Sequence, residues 1–370
     1  MDISANPSNR SRSVISVDPA LAIGDVMNLL AQALADQGPA LNFTDESIES
    51  VDRDICLVVE TTGSSGTRKS VALSSAALLA SARASLEFLQ ARPGQTWALL
   101  LPIHHIAGIN VLIRSLELRT TPVDLRNADS YPITDFSAVV PTQIYRALNG
   151  DEKLLSHLKA AQFVLVGGAK LQDDLLFQAL NAGISILTTY GMSETAGGCI
   201  YEGTPLNGVQ ARISDTGLIE ISGPILASGY LNNDELWNQH YRDGWFTTSD
   251  LGEINSDGTV DVLGRADDVF ISGGEKVSLS SVGKKLEERY PQNNWCALAV
   301  TDLKWGQRLV VAVAGVNPPA REEVTSLLGD TFGNAAKPKQ YLIFETLPLI
   351  GIGKIDRIAL SKREEDEFHG

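Results

Sequence analysis

Ten residues from Thr61 to Ser70 combine side chains that suit phosphate binding. The segment reads TTGSSGTRKS and holds three Thr, three Ser, two Gly, one Arg and one Lys. Hydroxyls donate hydrogen bonds to phosphate oxygens, glycines let backbone amides approach closely, and a lysine adds positive charge. An apolar run before the segment suits a buried strand, and a helix-like stretch follows with Ser74 or Ser75 as N-cap. The order strand, loop, helix predicts a loop that presents amides to a phosphate chain.

Two kinds of phosphate loop compete for this segment. A Walker A loop needs a glycine directly before its Lys–Ser/Thr pair. Counted from Gly63, Lys69 and Ser70 are in register, but Arg68 occupies that glycine position. The segment instead resembles the TSGTTGKPKG loop of adenylate-forming enzymes, with Thr67, Arg68 and Ser70 replacing Lys, Pro and Gly. A polar loop of this composition is also a common surface connection, so this segment alone does not identify a phosphate loop.

The composition is that of a globular protein long enough for two domains. The chain has 370 residues, of which 44% are hydrophobic and 20% charged. A net charge of −15 argues against a nucleic-acid partner. Cys56, Cys199 and Cys296 form neither a disulfide framework nor a zinc pattern, and Cys56 and Cys296 are expected in the core. The sequence has no apolar signal core and no segment of membrane-spanning length, so it predicts a cytoplasmic protein.

Alternating apolar runs predict the elements that position these residues. Residues up to about Ser13 are predicted to be disordered, with a short helix near Ala22–Gln37. The predicted strands are Trp97–Leu101, Thr121–Leu125, Phe136–Val140, Phe163–Val166 and Ile184–Thr188, and the predicted helices are Ile106–Leu118, Thr142–Leu148 and Gln172–Asn181. This alternation predicts an α/β domain with largely parallel sheets, in which ligands bind at the carboxyl ends of strands.

The pattern changes from Ala211 onwards. It becomes β-rich, with turns predicted at 215–217 and 256–258. A smaller α+β unit is predicted after Gly264; its elements are a helix at Ser280–Tyr290, strands at Ala297–Val300 and Leu309–Val316, and a helix at Arg321–Phe332. The predicted boundary lies near residues 265–268.

Seven segments resemble the adenylate-forming acyl-CoA synthetase family, in the order that the family has them. Besides the loop at 61–70, they are PIHHIAG (102–108), LVGGAKL (165–171), TTYGMSET (188–195), DGWFTTSDLGEI (243–254), GRADDVFISGGEKV (264–277) and PLIGIGKIDR (348–357). By this resemblance the chain is identified as a member of that family. The resemblance implies a large N-terminal AMP-binding α/β domain over residues 1–264, with mostly parallel sheets and a β-rich end. A small mobile C-terminal α+β lid domain over residues 265–370 would follow.

The same resemblance implies where the nucleotide and CoA bind. The residues it assigns to these ligands are Thr61, Thr62, Gly63, Ser64, Ser65, Gly66, Gly168, Ala169, Tyr190, Gly191, Thr195, Asp250, Arg265, Gly273 and Gly274. Tyr190 would stack on adenine and Thr195 would contact the α-phosphate. Asp250 and Arg265 would bind the ribose. The last two glycines would line a tunnel for the pantetheine chain of CoA.

Four residues receive catalytic roles by this resemblance: Lys354, Glu194, His105 and Lys69. Glu194 would also coordinate Mg²⁺, since a hard cation that bridges phosphates takes oxygen ligands. Lys354 would contact the carboxylate and the α-phosphate during adenylation. Asp267 would be the hinge of the small domain. Taken alone, a single histidine or a terminal lysine is more often structural or solvated, so these roles depend on the surrounding motifs.

Within the family, the nearest resemblance is to the o-succinylbenzoate–CoA ligase group. The segments that carry it are VVPTQIYRAL at 139–148 and VFISGGE at 269–275. The substrate-binding residues that it implies are His105, Thr142, Gln143, Gly191 and Met192. The alternative for Pro141–Thr142 is a simple helix start with Thr142 as N-cap.

Family members usually carry a long subdomain before the phosphate loop, which in this chain already begins at Thr61. A shortened subdomain favours a compact ligase over a peptide-synthetase module or a luciferase-like enzyme.

The implied activity is a two-step ligation of 2-succinylbenzoate to CoA, with ATP and Mg²⁺ as cofactors and AMP and diphosphate as products. The expected partners are small molecules, without nucleic acid or a membrane span, and a homodimer is left open. The alternatives are another aryl- or acyl-CoA ligase, an adenylating enzyme that loads a carrier protein, and a non-catalytic nucleotide-binding protein. The presence of Glu194, Asp250, Arg265 and Lys354 disfavours the last of these.

Overall fold

A computed structural model of the chain describes residues 11–62, 68–272, 275–302, 305–350, 354–357 and 359–360. The chain divides into two compact units. The large unit holds the residues up to 248 and 252–262, and the small unit holds 249–251 and the residues from 263 onwards. The domain limits predicted from the sequence, 1–264 and 265–370 with a hinge at Asp267, remain predictions.

The large unit is built from helices on twisted sheets. Its helices are α1 (Ile23–Leu34), α2 (Ser75–Phe88), α3 (Ile106–Glu117), α4 (Pro141–Leu148), α5 (Glu152–Ala160), α6 (Asp173–Asn181) and α7 (Asp234–His240). The strands up to the end of the large unit are β1 (Ser11–Ser16), β2 (Ala40–Asn42), β3 (Ser50–Asp52), β4 (Ile55–Thr62), β5 (Arg68–Ser74), β6 (Trp97–Leu99), β7 (Val123–Asp124), β8 (Phe136–Val139), β9 (Phe163–Val166), β10 (Ile186–Met192), β11 (Gly197–Tyr201), β12 (Thr204–Pro205), β13 (Gln210–Ile213), β14 (Leu218–Ser222), β15 (Gly229–Tyr230), β16 (Tyr241–Arg242), β17 (Trp245–Ile254) and β18 (Val260–Arg265). Strands β17 and β18 each include residues of both units.

The first sheet is mixed and has the order β15-β5-β4-β2-β1-β3. The predicted order strand, loop, helix is wrong at the phosphate loop, because β5 pairs antiparallel with β4 before α2 begins. Val71 and Leu73 of β5 are completely buried, so this segment gains more by pairing in the sheet than by opening a helix. The helix start at Ser74 is confirmed, since its hydroxyl accepts a hydrogen bond from the amide of Ala77 at 3.2 Å.

The predicted disorder is wrong for residues 11–13, because β1 begins at Ser11; the residues before Ser11 lie outside the described part of the chain. The reason is Arg12, which is 7% exposed. Its guanidinium donates to the carbonyl oxygens of Ala33 at 2.8 Å, Gly38 at 2.7 Å and Ile55 at 3.1 Å. A buried cation with satisfied donors ties this segment to two other parts of the unit.

The second sheet has the order β12-β11-β10-β9-β8-β6-β7. Five neighbouring strands, from β7 to β10 in that order, are parallel, as the sequence predicts. Helix α5 was not predicted, although Asp151 at its start caps it by accepting from the amide of Leu154 at 3.0 Å. Because the parallel strands share one direction, their carboxyl ends lie at one edge of the sheet.

The β-rich end forms a third sheet, with β13, β14, β17 and β16 in order and β18 paired to β17. Its predicted turns are confirmed by the left-handed φ angles of +83° at Gly217 and +87° at Gly258. The small unit adds helices α8 (Leu279–Arg289) and α9 (Arg321–Phe332) and strands β19 (Val269–Ser272), β20 (Glu275–Ser278), β21 (Asn293–Asp302), β22 (Gly306–Gly315), β23 (Gln340–Phe344), β24 (Leu349–Ile350) and β25 (Lys354–Ile355). The predicted class, an α/β unit with a β-rich end and a small α+β unit, is confirmed.

Two smaller expectations are also answered here. Cys56, Cys199 and Cys296 are buried and not in disulfides. Within the described part of the chain, no helix combines the length and apolar character needed to cross a bilayer.

Candidate active site

Four predicted site segments follow neighbouring parallel strands. Residues 102–105 follow β6, residues 140–143 follow β8, residues 167–169 follow β9, and β10 ends in residues 190–192. In the sheet order these strands are direct neighbours, so their carboxyl ends bring the four segments to one edge. Open α/β sheets bind ligands at this kind of edge.

Close contacts join these segments to one another. The side-chain amide of Gln143 donates to the carbonyl of Leu100 at 3.1 Å, and its Oε1 accepts from the amide of Val140 at 3.0 Å. Gln143, predicted as a substrate donor, thus also ties the end of β6 to the start of α4. The alternative of Thr142 as N-cap is wrong: Val140 is the N-cap, because the fixed φ of Pro141 suits the first helical position. Thr142 lies exposed in the first turn.

His105 and the glycine segment occupy the ends of β6 and β9. His105 is the half-buried N-cap residue of α3, and its ring lies 4.3 Å from that of His104. Gly167 must lack a side chain, since a Cβ there would stand 2.4 Å from Thr189 Oγ1. The predicted adenine-side residues Gly168 and Ala169 follow it at exposed positions.

At the end of β10 the backbone approaches β11 very closely. A Cβ on Gly191 would stand 2.1 Å from the carbonyl oxygen of Gly197, so only glycine fits here. The register of the two strands shifts between Tyr190 and Gly191. Tyr190 and Met192 are half-buried and pack against the main core of the large unit. The close approach thus holds the three residues predicted to meet adenine and the acid.

The turn after β10 carries the predicted metal and phosphate residues. Thr195 is completely buried; its Oγ1 accepts from the amide of Met192 at 3.0 Å and lies 2.7 Å from the carbonyl oxygen of Gly197. In this arrangement the hydroxyl holds the turn together. A contact between this hydroxyl and an α-phosphate therefore requires an exchange of hydrogen bonds.

Two residues that the sequence reasoning missed fix the end of this turn. Ala196 has a left-handed φ of +49°, and its carbonyl oxygen accepts from Ser81 Oγ at 3.0 Å and from Asn110 Nδ2 at 2.8 Å. Both donors are buried. They lie on α2 and α3, whose buried faces carry other polar residues as well, so no pattern in the sequence singles them out.

Glu194 and Lys69 meet at a tyrosine that was not predicted. Glu194 is 8% exposed, and its Oε1 accepts a hydrogen bond from Tyr230 Oη at 2.7 Å. The Lys69 ammonium lies 4.9 Å from the centre of the Tyr230 ring. Burial and the nearby Glu194 carboxylate raise the pKa of Tyr230 far above its usual value, so the phenol stays protonated and donates. The structure therefore brings these two predicted catalytic residues together.

The donor set at Glu194 fits Mg²⁺ bound mainly by substrate. Among the described residues, no group of three or more His, Cys, Asp or Glu side chains could hold a metal ion. Mg²⁺ commonly takes one or two carboxylates and completes its octahedron with substrate phosphates and water. A single carboxylate at a predicted nucleotide site matches that chemistry.

Two of the three departures from the family's phosphate loop, Arg68 and Ser70, lie on the opposite face of β5 from Lys69; the third, Thr67, lies outside the described residues. Side chains alternate along a strand, so Arg68 and Ser70 share one face and Lys69 takes the other. The antiparallel register pairs Lys69 with Thr61, which places these two predicted phosphate residues on the same face. The substitutions at 68 and 70 therefore leave the lysine face unchanged.

The outer face, defined by Arg68 and Ser70, is occupied by acidic partners. Arg68 Nη1 lies 3.0 Å from Asp45 and 3.1 Å from Glu60, while Ser70 Oγ donates to Glu46 at 3.2 Å. These contacts bind β5 to β4 and to the segment before it. The two unusual residues thus have structural partners away from the predicted nucleotide side.

In the small unit, the two predicted ribose residues are neighbours. Asp250 in β17 and Arg265 at the end of β18 form an ion pair with a Nη1–Oδ1 distance of 3.6 Å. Asp250 is 14% exposed and Arg265 44%. Residues Gly63, Ser64, Ser65, Gly66, Gly273 and Gly274 lie outside the described residues, as do the side chains of Thr62, Asp267 and Lys354.

Comparison with known proteins shows the family to which the chain belongs. The model of the AMP-binding enzyme family matches residues 5–231, more than half of the chain. A Mycobacterium tuberculosis (strain ATCC 25618 / H37Rv) protein named "Probable 2-succinylbenzoate–CoA ligase" is 36% identical over 333 residues, which cover 85% of this chain and 86% of the relative.

Solved structures share the fold. The o-succinylbenzoate CoA synthetase of Bacillus subtilis, in complex with its acyl-adenylate intermediate, is 21% identical with a TM-score of 0.74, covering 94% of this chain and 82% of that one. The same enzyme was also solved with ATP and a magnesium ion. ATP-bound MatB from Rhodopseudomonas palustris is 21% identical with a TM-score of 0.75, covering 95% and 84%. With the family match and the relative from Mycobacterium, these findings confirm the resemblance seen in the sequence: the chain belongs to the AMP-binding enzyme family.

Proposed function

We propose that the protein is an ATP-dependent acid–CoA ligase that converts 2-succinylbenzoate, ATP and CoA into 2-succinylbenzoyl-CoA, AMP and diphosphate. The observation that carries the choice of acid is the 36% identity to the Mycobacterium relative over most of both chains. The convergence of Lys69 and Glu194 on Tyr230 supports the choice of chemistry. A lysine and a carboxylate that could hold a metal cation suit a site in which phosphate charge is neutralised.

In the first step, a carboxylate oxygen of the acid forms a bond to the α-phosphorus of ATP, and diphosphate leaves with its electron pair. The chain's own contribution is positioning and charge neutralisation. Lys69 would meet the phosphate oxygens from the inner face of the β4–β5 hairpin, and Lys354 would meet the α-phosphate and the acid. Glu194 would hold Mg²⁺, which would supply positive charge to offset the charge that develops on diphosphate.

In the second step, the CoA thiolate attacks the acyl carbon and AMP leaves. By the family resemblance, the small unit turns at Asp267 between the two steps, and Gly273 and Gly274 then line the path of the thiol. The Asp250–Arg265 pair would hold the ribose. A cytoplasmic location remains a prediction from the sequence, which leaves a homodimer open.

A second candidate is a ligase for a different carboxylic acid. Its support is that solved structures such as MatB of Rhodopseudomonas palustris and the Bacillus subtilis synthetase, each 21% identical, share only the fold with this chain, and the fold alone does not select the acid. Fold is a weaker guide to substrate than the residues of the site.

A panel of acids tests both candidates. AMP release would be measured with ATP and CoA against 2-succinylbenzoate, benzoate and medium-chain fatty acids. We expect the highest kcat/KM for 2-succinylbenzoate. Better turnover of benzoate or a fatty acid would contradict the proposed acid substrate. Activity with a carrier protein but not with free CoA would contradict CoA as the acyl acceptor.

A further inference from the structure

The carboxylate of Glu194 is buried and has one short hydrogen bond. It is 8% exposed, and Tyr230 Oη lies 2.7 Å from its Oε1. Among the described residues, no Lys, Arg or His lies within ion-pair distance of this carboxylate. A buried carboxylate charge is costly unless it is paired, and among the described residues only this phenol donates to the carboxylate. The site is therefore set up to accept a cation.

Tyr230 is fixed from several directions. Its strand β15 pairs antiparallel with β5, with Tyr230 opposite Val71. Its ring meets the Trp237 ring edge-on, with centroids 5.3 Å apart and an interplanar angle of 88°. It is only 3% exposed. A phenol held in this way can hold a carboxylate in one orientation.

The segment that carries Tyr230 also holds the main chain of Glu194. The amide of Ala227 donates to the carbonyl oxygen of Glu194 at 2.8 Å. Residues 227–230 thus bind Glu194 through its backbone and its side chain. The π system of the same tyrosine lies 4.9 Å from the Lys69 ammonium. One aromatic side chain therefore contacts both charged groups of the proposed site.

From this geometry we propose that Tyr230 is a positioning residue for the magnesium-binding carboxylate. Its hydroxyl holds Oε1 of Glu194 and thereby turns the second oxygen toward the cation that accompanies ATP. Its ring supports Lys69 through a separate cation–π contact. The proposal rests on the proposed function, because that function gives Glu194 its metal.

Tyr230→Phe separates these two roles, because it removes the hydroxyl and keeps the ring beside Lys69 and Trp237. Tyr241→Phe is the matched control: Tyr241 also contacts Trp237, by stacking with centroids 5.4 Å apart, and has no hydrogen bond to Glu194 among the described residues. ATP binding would be measured by calorimetry over a series of Mg²⁺ concentrations, without acid or CoA, so that no turnover occurs. Thermal unfolding of all variants would be recorded beside it.

We expect Tyr230→Phe to raise the Mg²⁺ concentration for half-maximal ATP binding about tenfold, the usual size of an effect of a residue behind a metal ligand. ATP affinity at saturating Mg²⁺ should stay within about twofold, since the ring beside Lys69 remains. Tyr241→Phe should leave the Mg²⁺ midpoint unchanged. Glu194→Gln should raise the Mg²⁺ midpoint at least as far as Tyr230→Phe does. The double variant should have the same Mg²⁺ midpoint as Glu194→Gln alone.

Three results would overturn the proposal. The first is a Mg²⁺ midpoint for Tyr230→Phe equal to that of Tyr241→Phe while Glu194→Gln shifts it. The second is a full additive shift in the double variant, which would mean that the tyrosine acts independently of Glu194. The third is an unchanged midpoint in Glu194→Gln, which would remove Glu194 from the metal site. The acid panel decides the ligase activity separately, so failure of this proposal and failure of the proposed function remain distinguishable.

Discussion

The two faces of strand β5 carry similar side chains in opposite surroundings. On the outer face, Arg68 is 56% exposed and pairs with Asp45, which is 88% exposed. On the inner face, Lys69 lies over Tyr230, whose hydroxyl contacts the buried Glu194. Exposed ion pairs are weakened by water and salt and contribute little to stability. The same charges in a buried site act at lower dielectric, so burial decides which face can do chemistry.

The sharpest test of this comparison replaces each cation by a side chain of similar length. Lys69→Met should lower kcat/KM for the adenylation step by about 100- to 1,000-fold, the range for removing one electrostatic contact from a reacting site. Arg68→Met, on the outer face, should change it by less than about threefold. The rate of acid-dependent diphosphate release measures both. Equal losses in the two variants would show that the faces do not differ in function.

A second lysine tests whether the inner face works alone. Lys354→Ala should slow diphosphate release by about 100-fold, since the proposed role of its charge is confined to adenylation. Thioester formation from supplied acyl adenylate should stay within about threefold of the wild-type rate. Comparable losses in both half-reactions would contradict the role that the GKIDR segment at 353–357 implies.

The contrast between buried and exposed polar groups extends to His157. This ring is 2% exposed, its Nδ1 lies 2.9 Å from the Pro132 carbonyl, and its Nε2 lies 3.0 Å from Ser137 Oγ. A carbonyl only accepts, so Nδ1 carries the proton and Nε2 accepts from the serine. Burial lowers the pKa of His157 below its usual value of 6.5, with the bond to Pro132 opposing it in part.

This pKa sets the sign of a pH effect on stability. Because the unfolded chain binds the proton more tightly, the contribution of His157 is complete above about pH 6.5 and is lost as the pH falls toward the lower folded-state pKa. The free energy of unfolding by urea should therefore fall more between pH 7.5 and 5.5 in the wild type than in His157→Asn, which keeps a donor for Pro132. The pH range is about one unit on either side of the ordinary histidine pKa. Identical pH slopes would mean that this ring is not held neutral by burial.

The sequence predicted the parallel sheet well because its strands are short apolar runs between turns. Phe163–Val166 matches its predicted bounds, and Arg321–Phe332 matches in the small unit. Strand β5 escaped prediction because its first residues, Arg68–Ser70, are polar, and it is paired in the sheet with β4 on one side and on the other with β15, about 160 positions further along the chain. Local propensity carries no information about such a partner.

The sequence predicted those site residues that lie in recognisable family motifs. Glu194 and Lys69 stand in recognisable segments, whereas Tyr230 stands in a plain Gly-Tyr-Leu sequence and reaches Glu194 across 36 positions. Ser81 and Asn110 were missed for the same reason, since their partner Ala196 lies 115 and 86 positions away. Residues that position the predicted groups become visible only when the chain is folded.

The smallest expected effect concerns the recognition of the acid's second carboxylate by Thr142, an exposed residue. 2-Succinylbenzoate has a second carboxylate that is not activated, and in a chain of net charge −15 it needs local donors. Thr142 lies in the first turn of α4, where the helix dipole favours an anion, and its exposed side chain is accessible to a ligand. Gln143, its neighbour, already bonds to the backbone of Leu100 and Val140, so Thr142 is the better candidate for this contact.

Thr142→Val, which removes the hydroxyl at nearly constant volume, should reduce the preference for 2-succinylbenzoate over benzoate by about 1 kcal/mol, roughly fivefold in the ratio of kcat/KM. Thr121→Val is the matched control, because Thr121 is an exposed threonine outside the predicted site segments. That control should leave the ratio unchanged. If Thr142→Val also leaves it unchanged while both variants keep their preference for the dicarboxylate, another part of the strand edge recognises the second carboxylate. An exposed hydroxyl at a helix start would then contribute as little here as the exposed ion pairs of Arg68.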